Sequence, residues 1–244
     1  MPSPAPLAFF ITGTDTDAGK TTIAAGLLAA ARQQGLSTLA CKPVASGSAM
    51  TADGLRNSDA LQLASQCSIR LPYASINPYA FEPAIAPHLA ATAAGISLDS
   101  TSLHKHVMQV LGHAAGLTLI EGAGGWRVPL NAGETLADLA IALQLPVILV
   151  VGMKLGCINH ALLSAEAILA DGLPLAGWIA NLVDPDMSCQ ADNLQTLQQW
   201  MPAPCLAQVP HLDNYSTAAL VPYLQPALDQ LIMSAVTPKR LSDN

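Results

Sequence analysis

Six short runs of almost unbroken apolar residues organise this chain of 244 residues: LAFFIT (7–12), STLACKPV (37–44), LTLIEGAGG (117–125), LPVILVVG (145–152), LPLAGWIANLV (173–183) and APCLAQVP (203–210). A strand with one wet face alternates apolar and polar residues, so runs like these read as strands buried on both faces. Between them, segments at about 19–35, 58–67, 99–114, 134–144, 158–171, 188–201 and 217–235 read as helices. Such alternation predicts an α/β fold: a mostly parallel sheet with helices on both faces. No internal repeat or linker interrupts it, and a single domain over 1–244 is expected. The four prolines of RLPYASINPYAFEPAIAPHLA (70–90) predict a long surface excursion, the kind of segment that often carries function.

Composition narrows the class. With 51% hydrophobic and 11% charged residues the chain is globular rather than disordered. A mean hydropathy of +0.39 raises a membrane reading, and LADLAIALQLPVILVVGM (136–153) is the best candidate span. Asp138, Gln144 and Pro146 interrupt it, which predicts a helix, a turn and then a buried strand. The start MPSPAPLAFFITG lacks the positive region of a signal peptide, so a cytoplasmic protein is expected, with no membrane partner. Net charge −7 and scattered basic residues argue against nucleic acid. Five cysteines without C-x-x-C spacing point neither to a disulfide framework nor to a zinc ribbon. The six histidines form no i, i+4 pair suited to a metal.

The chemistry concentrates where runs end. GTDTDAGKT (13–21) joins a predicted strand to a predicted helix and closes on Gly-Lys-Thr. In the usual phosphate loop a glycine stands where this chain has Thr14; here five residues separate Gly13 from Gly19. The context still aims backbone N–H groups and a positive helix end at an anion. Gly19 allows close approach, Lys20 reaches phosphates, and the Thr21 hydroxyl is placed for Mg²⁺. Asp15 and Asp17 put carboxylates inside an anion site; they would hold the loop's own N–H groups, meet a cation, or simply face water.

Lys42, in ACKPVASG, stands at the end of the second strand, the edge where open parallel sheets take ligands. A lysine there neutralises charge on a transferred phosphoryl group, although most lysines at strand ends face water. Ser46 and Gly47 follow in a small-residue loop. Asp59, in LRNSDALQL, begins a helical pattern after Ser58, where it also suits helix capping. Glu121 ends the run LTLIE and enters glycines at 122, 124 and 125. Thr21, Asp59 and Glu121 together form the hard-oxygen set that Mg²⁺ requires. Asn181, in IANLVD, ends another strand with Asp184 three residues on, and an amide there suits either a base edge or a turn.

GTDTDAGKT, KPVASG, LRNSDAL, EGAGGW and PVILVVGMKLGCINHALL, in that order, resemble the dethiobiotin synthetase family, as does NPYAFEPAIAPH (77–88). The likeness runs from about residue 7 to about 212, and the odd glycine spacing is that family's own version of the loop. It implies a phosphate-loop, three-layer α/β/α fold. The implied reaction is ATP-dependent carboxylation of 7,8-diaminopelargonate with CO₂ and closure of a cyclic urea, releasing ADP and phosphate. It also implies roles. Lys20, Lys42 and Thr16 would be catalytic. Asp17, Ala18, Gly19, Lys20, Thr21, Thr22, Asp59, Glu121, Gly122, Ala123 and Gly124 would bind ATP, with Asn181, Leu182, Pro210, His211 and Leu212 at its adenine. Thr16 and Ser46 would touch the diamine. A partner subunit's Gly156, Cys157 and Asn159 would meet its carboxylate, making a homodimer. Thr21, Asp59 and Glu121 would hold Mg²⁺. Asp17 stands where the family commonly has Glu, and DNYSTAALVPYLQ after Leu212 carries no family motif.

Two other functions compete. A partitioning-type ATPase switch would carry a signature lysine where this chain has Asp15. A glutamine-dependent synthase would need a reactive Cys–His pair; Cys157 and His160 are close in sequence but sit in no nucleophile pattern.

Overall fold

A computed structural model describes residues 6–212 and 215–236. The two ends of the expected domain 1–244, and residues 213–214 of the segment after Leu212, lie outside the described residues. The elements in chain order are β1 (Leu7–Gly13), α1 (Lys20–Gln33), β2 (Thr38–Cys41), β3 (Val44–Ala45), β4 (Ala49–Thr51), β5 (Gly54–Arg56), α2 (Ser58–Gln66), α3 (Tyr73–Ile76), β6 (Tyr79–Ala80), α4 (Pro87–Ala93), α5 (Ser100–Leu111), β7 (Leu117–Glu121), α6 (Leu136–Leu143), β8 (Val147–Gly152), α7 (Cys157–Ala170), β9 (Leu175–Asn181), α8 (Gln190–Trp200), β10 (Cys205–Val209) and α9 (Thr217–Val236).

Six of the strands make one sheet in the order β10-β9-β8-β1-β7-β2, with every adjacent pair parallel. Each apolar run supplies one of them, and the reason is visible in the packing. Along β8, Ile148 and Val150 join one core with α1 and α9, while Leu149 and Val151 join a second with Trp178, α7 and Leu197 of α8. A strand whose alternate residues enter two cores has no wet face and therefore no polar alternation. Progress along the sheet reverses at β1: the chain first moves out to β2, returns through β7, then continues on the other side with β8. The crevice beyond the carboxyl ends of strands at such a point is where ligands bind in open α/β sheets.

The apolar candidate span divides as its polar residues require. Thr135 and Asp138 form a reciprocal capping box that opens α6, and Gln144 closes that helix in the left-handed region at φ 52°. Pro146 then leads into β8. No helix among the described residues is long and apolar enough to cross a membrane.

The runs are longer than the strands they form, most clearly at two ends that reach the site. The run 37–44 stops as a sheet strand at Cys41, and Val44–Ala45 pairs instead with β6 in a separate two-stranded sheet. The run 117–125 stops at Glu121, where the glycines leave the sheet. The excursion 70–90 is more ordered than a surface loop: it contains α3, β6 and the start of α4, with Ile76, Phe81 and Pro87 buried. A hairpin of β4 and β5 was not legible in the sequence.

Candidate active site

The phosphate loop spans from the end of β1 to α1 and is held from below. Gly19 precedes the helix at φ 88°, a left-handed conformation that suits glycine. A side chain there would also collide with the Asn181 amide, because Asn181 lies buried at the end of β9 and donates from Nδ2 to the Ala18 carbonyl at 3.0 Å. Asn181 thus braces the loop through Nδ2, while its Oδ1 is buried without a partner. Asp15 has two partners: Oδ1 accepts from the Thr16 N–H at 2.8 Å and Oδ2 pairs with Lys154 Nζ at 3.0 Å. The Lys154 ammonium, chiefly through that hydrogen bond, holds the Asp15 carboxyl below its usual range. The loop therefore carries an internal carboxylate whose charge is answered by a lysine from the β8–α7 connection.

Lys20 is buried and donates to the carbonyls of Asp15 at 3.0 Å and Gly124 at 2.6 Å. Burial, reinforced by the neighbouring Lys42 charge, brings its pKa down to about 8 against the opposing pull of Glu121. An ammonium so poorly solvated gains more from a bound phosphate than a surface lysine would. Its neighbour Thr21 donates its hydroxyl to Glu121 Oε1 at 2.7 Å.

Lys42 occupies the centre. It leaves β2 at the carboxyl edge, is only 4% exposed, and bridges Asp59 Oδ2 at 2.8 Å and Glu121 Oε1 at 2.5 Å. Burial works against its charge, but the Glu121 and Asp59 carboxylates outweigh it and hold the pKa above the ordinary value. Glu121 is completely buried, and its Oε2 has no partner. One orphaned carboxylate oxygen, a hydroxyl 2.7 Å from its twin and a second carboxylate on the far side of Lys42 form an all-oxygen donor set. The residues present fit a hard divalent cation that completes its shell with phosphate and water oxygens.

A cavity of about 780 Å³ opens above these groups. Of the sequence-predicted residues it is lined by Thr16, Asp17, Gly19, Lys20, Thr21, Thr22, Lys42, Ser46, Asp59, Ala123 and Gly124. The hydroxyl of Ser46 is buried without a hydrogen-bond partner, so it remains available to a ligand. Ala18, Glu121 and Gly122 lie beneath the lining, and Asn181, Leu182, Pro210, His211 and Leu212 stand outside it. So do Gly156, Cys157 and Asn159, around the N-terminus of α7. The Cys157 thiol is buried, which raises its pKa, and its N–H donates to the Lys154 carbonyl at 3.0 Å.

Sequence reading missed a whole wall of this cavity: Gln62, Ile85, Ala86, Pro87, Val128 and Pro129. These residues carry no reactive group, so none was singled out, although Ile85, Ala86 and Pro87 lie in the stretch NPYAFEPAIAPH. Arg127 lines the cavity too, and its guanidinium pairs with Asp171, which also accepts from the Trp126 indole at 2.7 Å. Residue types alone offered no signal for that link, because Asp171 lies 44 positions away.

Comparison with known proteins agrees with this geometry. Residues 8–219 match a family model described as an AAA domain. The septum site-determining protein MinD of Pyrococcus horikoshii, solved with Mg-ADP, shares the fold at TM-score 0.53 and 17% identity, over 97% of this chain and 98% of that one. The fold and the loop thus define a phosphate-loop protein. Much closer relatives exist. An ATP-dependent dethiobiotin synthetase of Pseudomonas aeruginosa strain UCBPP-PA14 is 64% identical over 217 residues, covering 89% of this chain and 95% of its own. That of Cellvibrio japonicus is 58% identical over 224 residues, covering 91% and 98%. The chain belongs to the family of ATP-dependent dethiobiotin synthetases.

Proposed function

We propose that the cavity above Lys42 is where this enzyme makes dethiobiotin from 7,8-diaminopelargonate, CO₂ and ATP, and that Lys42 serves both halves of the reaction. The observation that carries this reading is the buried Lys42 ammonium, fixed by two carboxylates beside the phosphate loop and open to a cavity with apolar walls. In the first step one substrate amine attacks CO₂, forming a C–N bond and releasing a proton to give a carbamate. A carbamate oxygen then takes the γ-phosphoryl group and ADP departs. The second amine attacks the carbonyl carbon, phosphate leaves, and the cyclic urea closes.

The chain's own groups position and neutralise, which is most of what phosphoryl transfer requires. Lys20 and the N–H groups from Ala18 to Thr22 hold the phosphates. Lys42 faces the negative carbamate and the phosphoryl oxygens, while Thr16 and Ser46 orient the diamine. Thr21, Asp59 and Glu121 would hold Mg²⁺, which when bound neutralises phosphate charge; the unpartnered Glu121 Oε2 supports this. Asn181 Oδ1, buried and unpartnered, is a candidate acceptor for an adenine amine, with Leu182, Pro210, His211 and Leu212 around the base.

Further parts of the reading concern assembly. Gly156, Cys157 and Asn159 would serve the neighbouring site of a homodimer; that they do not line this chain's cavity, and the 91% exposure of Leu155 beside them, support it. The whole chain is read as one domain working in the cytoplasm, without nucleic acid or membrane. The test uses ¹³C-labelled bicarbonate, ATP, Mg²⁺ and the diamine. One labelled carbon and one phosphate released per cyclic urea support the scheme; unlabelled product, or phosphate without product, removes it.

A further inference from the structure

Three side chains outside the cavity lining join the groups that act inside it. Asn57 is 3% exposed and makes bonds with every polar group it has. Its Oδ1 accepts from the N–H groups of Asp59 at 3.1 Å and Ala60 at 3.2 Å, capping α2. Its Nδ2 donates to the Ser46 carbonyl at 3.1 Å, and its backbone N–H donates to the Tyr73 hydroxyl at 2.7 Å. That hydroxyl donates in turn to Asn77 Oδ1 at 2.9 Å. Asn77, also 3% exposed, donates from Nδ2 to the Lys42 carbonyl at 2.7 Å. The Lys42 N–H is held by the neighbouring Ile76 carbonyl at 2.8 Å. Arg56 lies over the Tyr73 ring, 4.3 Å from its centre, covering the link from the side.

The path therefore runs Ser46–Asn57–Tyr73–Asn77–Lys42, with Asp59 attached through the helix cap. Its ends carry three groups of different intended use: a hydroxyl for the diamine, an ammonium for the carbamate and a carboxylate for the cation. None of the three linking residues lines the cavity. Plain stability does not demand this arrangement. Capping α2 needs only the Asn57 Oδ1, and the α3 turn closes on its own backbone bond from Asn77 N to Tyr73 O at 2.8 Å.

We infer that Asn57, Tyr73 and Asn77 form a positioning relay that sets Lys42, Ser46 and Asp59 in register for reaction. The inference rests on the reading of the cavity given above. Tyr73 is its joint, because one hydroxyl serves both buried amides. Losing that hydroxyl lets the strand end carrying Lys42 move independently of the loop carrying Ser46. Misplacement of reacting groups by about 1 Å can lower a rate on the order of 100-fold.

Three variants separate the relay from a purely structural role. Tyr73→Phe keeps the ring under Arg56 and deletes the joint; turnover should fall roughly 10- to 100-fold. Calorimetric affinity for a non-hydrolysable ATP analogue with Mg²⁺ should stay within about twofold, since the relay makes no contact with the phosphate loop. Asn57→Ser keeps a capping oxygen for α2 and removes the donor to the Ser46 carbonyl without burying a charge, so it should raise KM for the diamine more than KM for ATP. Asn77→Ala removes the link between the Tyr73 hydroxyl and the Lys42 carbonyl without burying a charge, so it should lower kcat with KM little changed. Unchanged kcat in Tyr73→Phe would overturn the relay, as would losses that simply follow the folded fraction seen in thermal unfolding. Wild-type protein with no diamine-dependent turnover would overturn the cavity reading instead. Basal ATP hydrolysis then remains as the readout, and the relay still predicts that Tyr73→Phe slows it at unchanged nucleotide affinity.

Discussion

On the function proposed above, the cavity has a phosphate end and a substrate end, and the two are built on different principles. The phosphate end hangs on the main sheet: Gly13 closes β1, Glu121 closes β7, Asn181 closes β9, and Lys42 follows directly on β2. Its groups are buried, and their placement is fixed by strands that carry the core. The substrate end is built from fragments, namely two-residue strands, a hairpin of two three-residue strands and the turns around Ser46, Ala84–Pro87 and Arg127–Pro129. These fragments keep their places through side-chain bonds, with Asn57, Asn77 and Asp171 as the fixing points. The difference teaches that the ATP end is rigid because the fold is rigid, whereas the diamine end is only as rigid as a few hydrogen bonds.

Lys42 joins the two, and breaking it should have the largest effect. Lys42→Met leaves the Glu121 carboxylate buried without its cation, which costs on the order of 3–5 kcal/mol when one partner of a buried pair is removed. Denaturant unfolding should show that loss. Turnover of whatever folds should drop about 100- to 1,000-fold, the scale for losing one preorganised charge. If Lys42 were merely a solvated lysine, both effects would be within error.

The phosphate end is sharpened by Gly19 and Asn181. Gly19→Ala places a side chain against the Asn181 amide at a backbone angle that favours glycine. It should destabilise by about 2–3 kcal/mol in the range of steric and backbone lesions. Asn181→Ala opens the space, so the double variant should recover part of that loss, with a coupling of about 1 kcal/mol in a double-mutant cycle. Strict additivity would mean that Asn181 does not brace the loop.

At the other end, Asp171→Ala removes the acceptor of the buried Trp126 indole. An unsatisfied buried donor costs about 1–3 kcal/mol, while the half-exposed Arg127 adds little. KM for the diamine should rise more than KM for ATP in steady-state assays, because the wall 126–129 is loosened and the loop 13–21 is not. Equal changes in both would erase the contrast between the ends.

The smallest effect concerns thiols. Burial pushes the Cys41, Cys67 and Cys157 thiols up, whereas Cys189 is exposed. Iodoacetamide followed by peptide mapping should label Cys189 first and leave Cys157 unlabelled in the native protein. Rapid native labelling of Cys157, suppressed by the diamine, would instead make its thiol part of the substrate end.

The same contrast explains what was legible in the sequence. A strand buried on both faces writes a continuous apolar run, so a mostly parallel sheet and the residues at the ends of its strands could be read directly, whereas the strand order could not. Lys20, Thr21, Lys42 and Glu121 were singled out at or just beyond the ends of such runs, although for Lys42 the strand end alone favoured a lysine facing water, and only the fold shows it buried between Asp59 and Glu121. Two-residue strands such as β3 and β6 are too short to carry a period, so the motifs within 43–57 and 77–87 could be recognised but the strands and the β4–β5 hairpin there could not. The start of α2 shows the limit at single-residue scale. The sequence reading placed the helix at 58–67, and α2 does begin at Ser58, but it did not single out Asn57, which caps the helix and uses its remaining donors on Ser46 and Tyr73. Asp15 was left open between a solvated turn and a working carboxylate, and only folding brings Lys154 to it. Asn181 was read as a base contact or a turn residue; its bond to the Ala18 carbonyl needed the β9 end beside the loop, which no local pattern announces.

The most direct measurement is phosphate release from ATP, Mg²⁺ and bicarbonate with and without 7,8-diaminopelargonate, with the product identified by mass. Two ends joined through Lys42 predict that release waits for the diamine and matches cyclic urea one for one. Hydrolysis that proceeds at the same rate without the diamine would contradict the account and leave a phosphate-loop switch in its place.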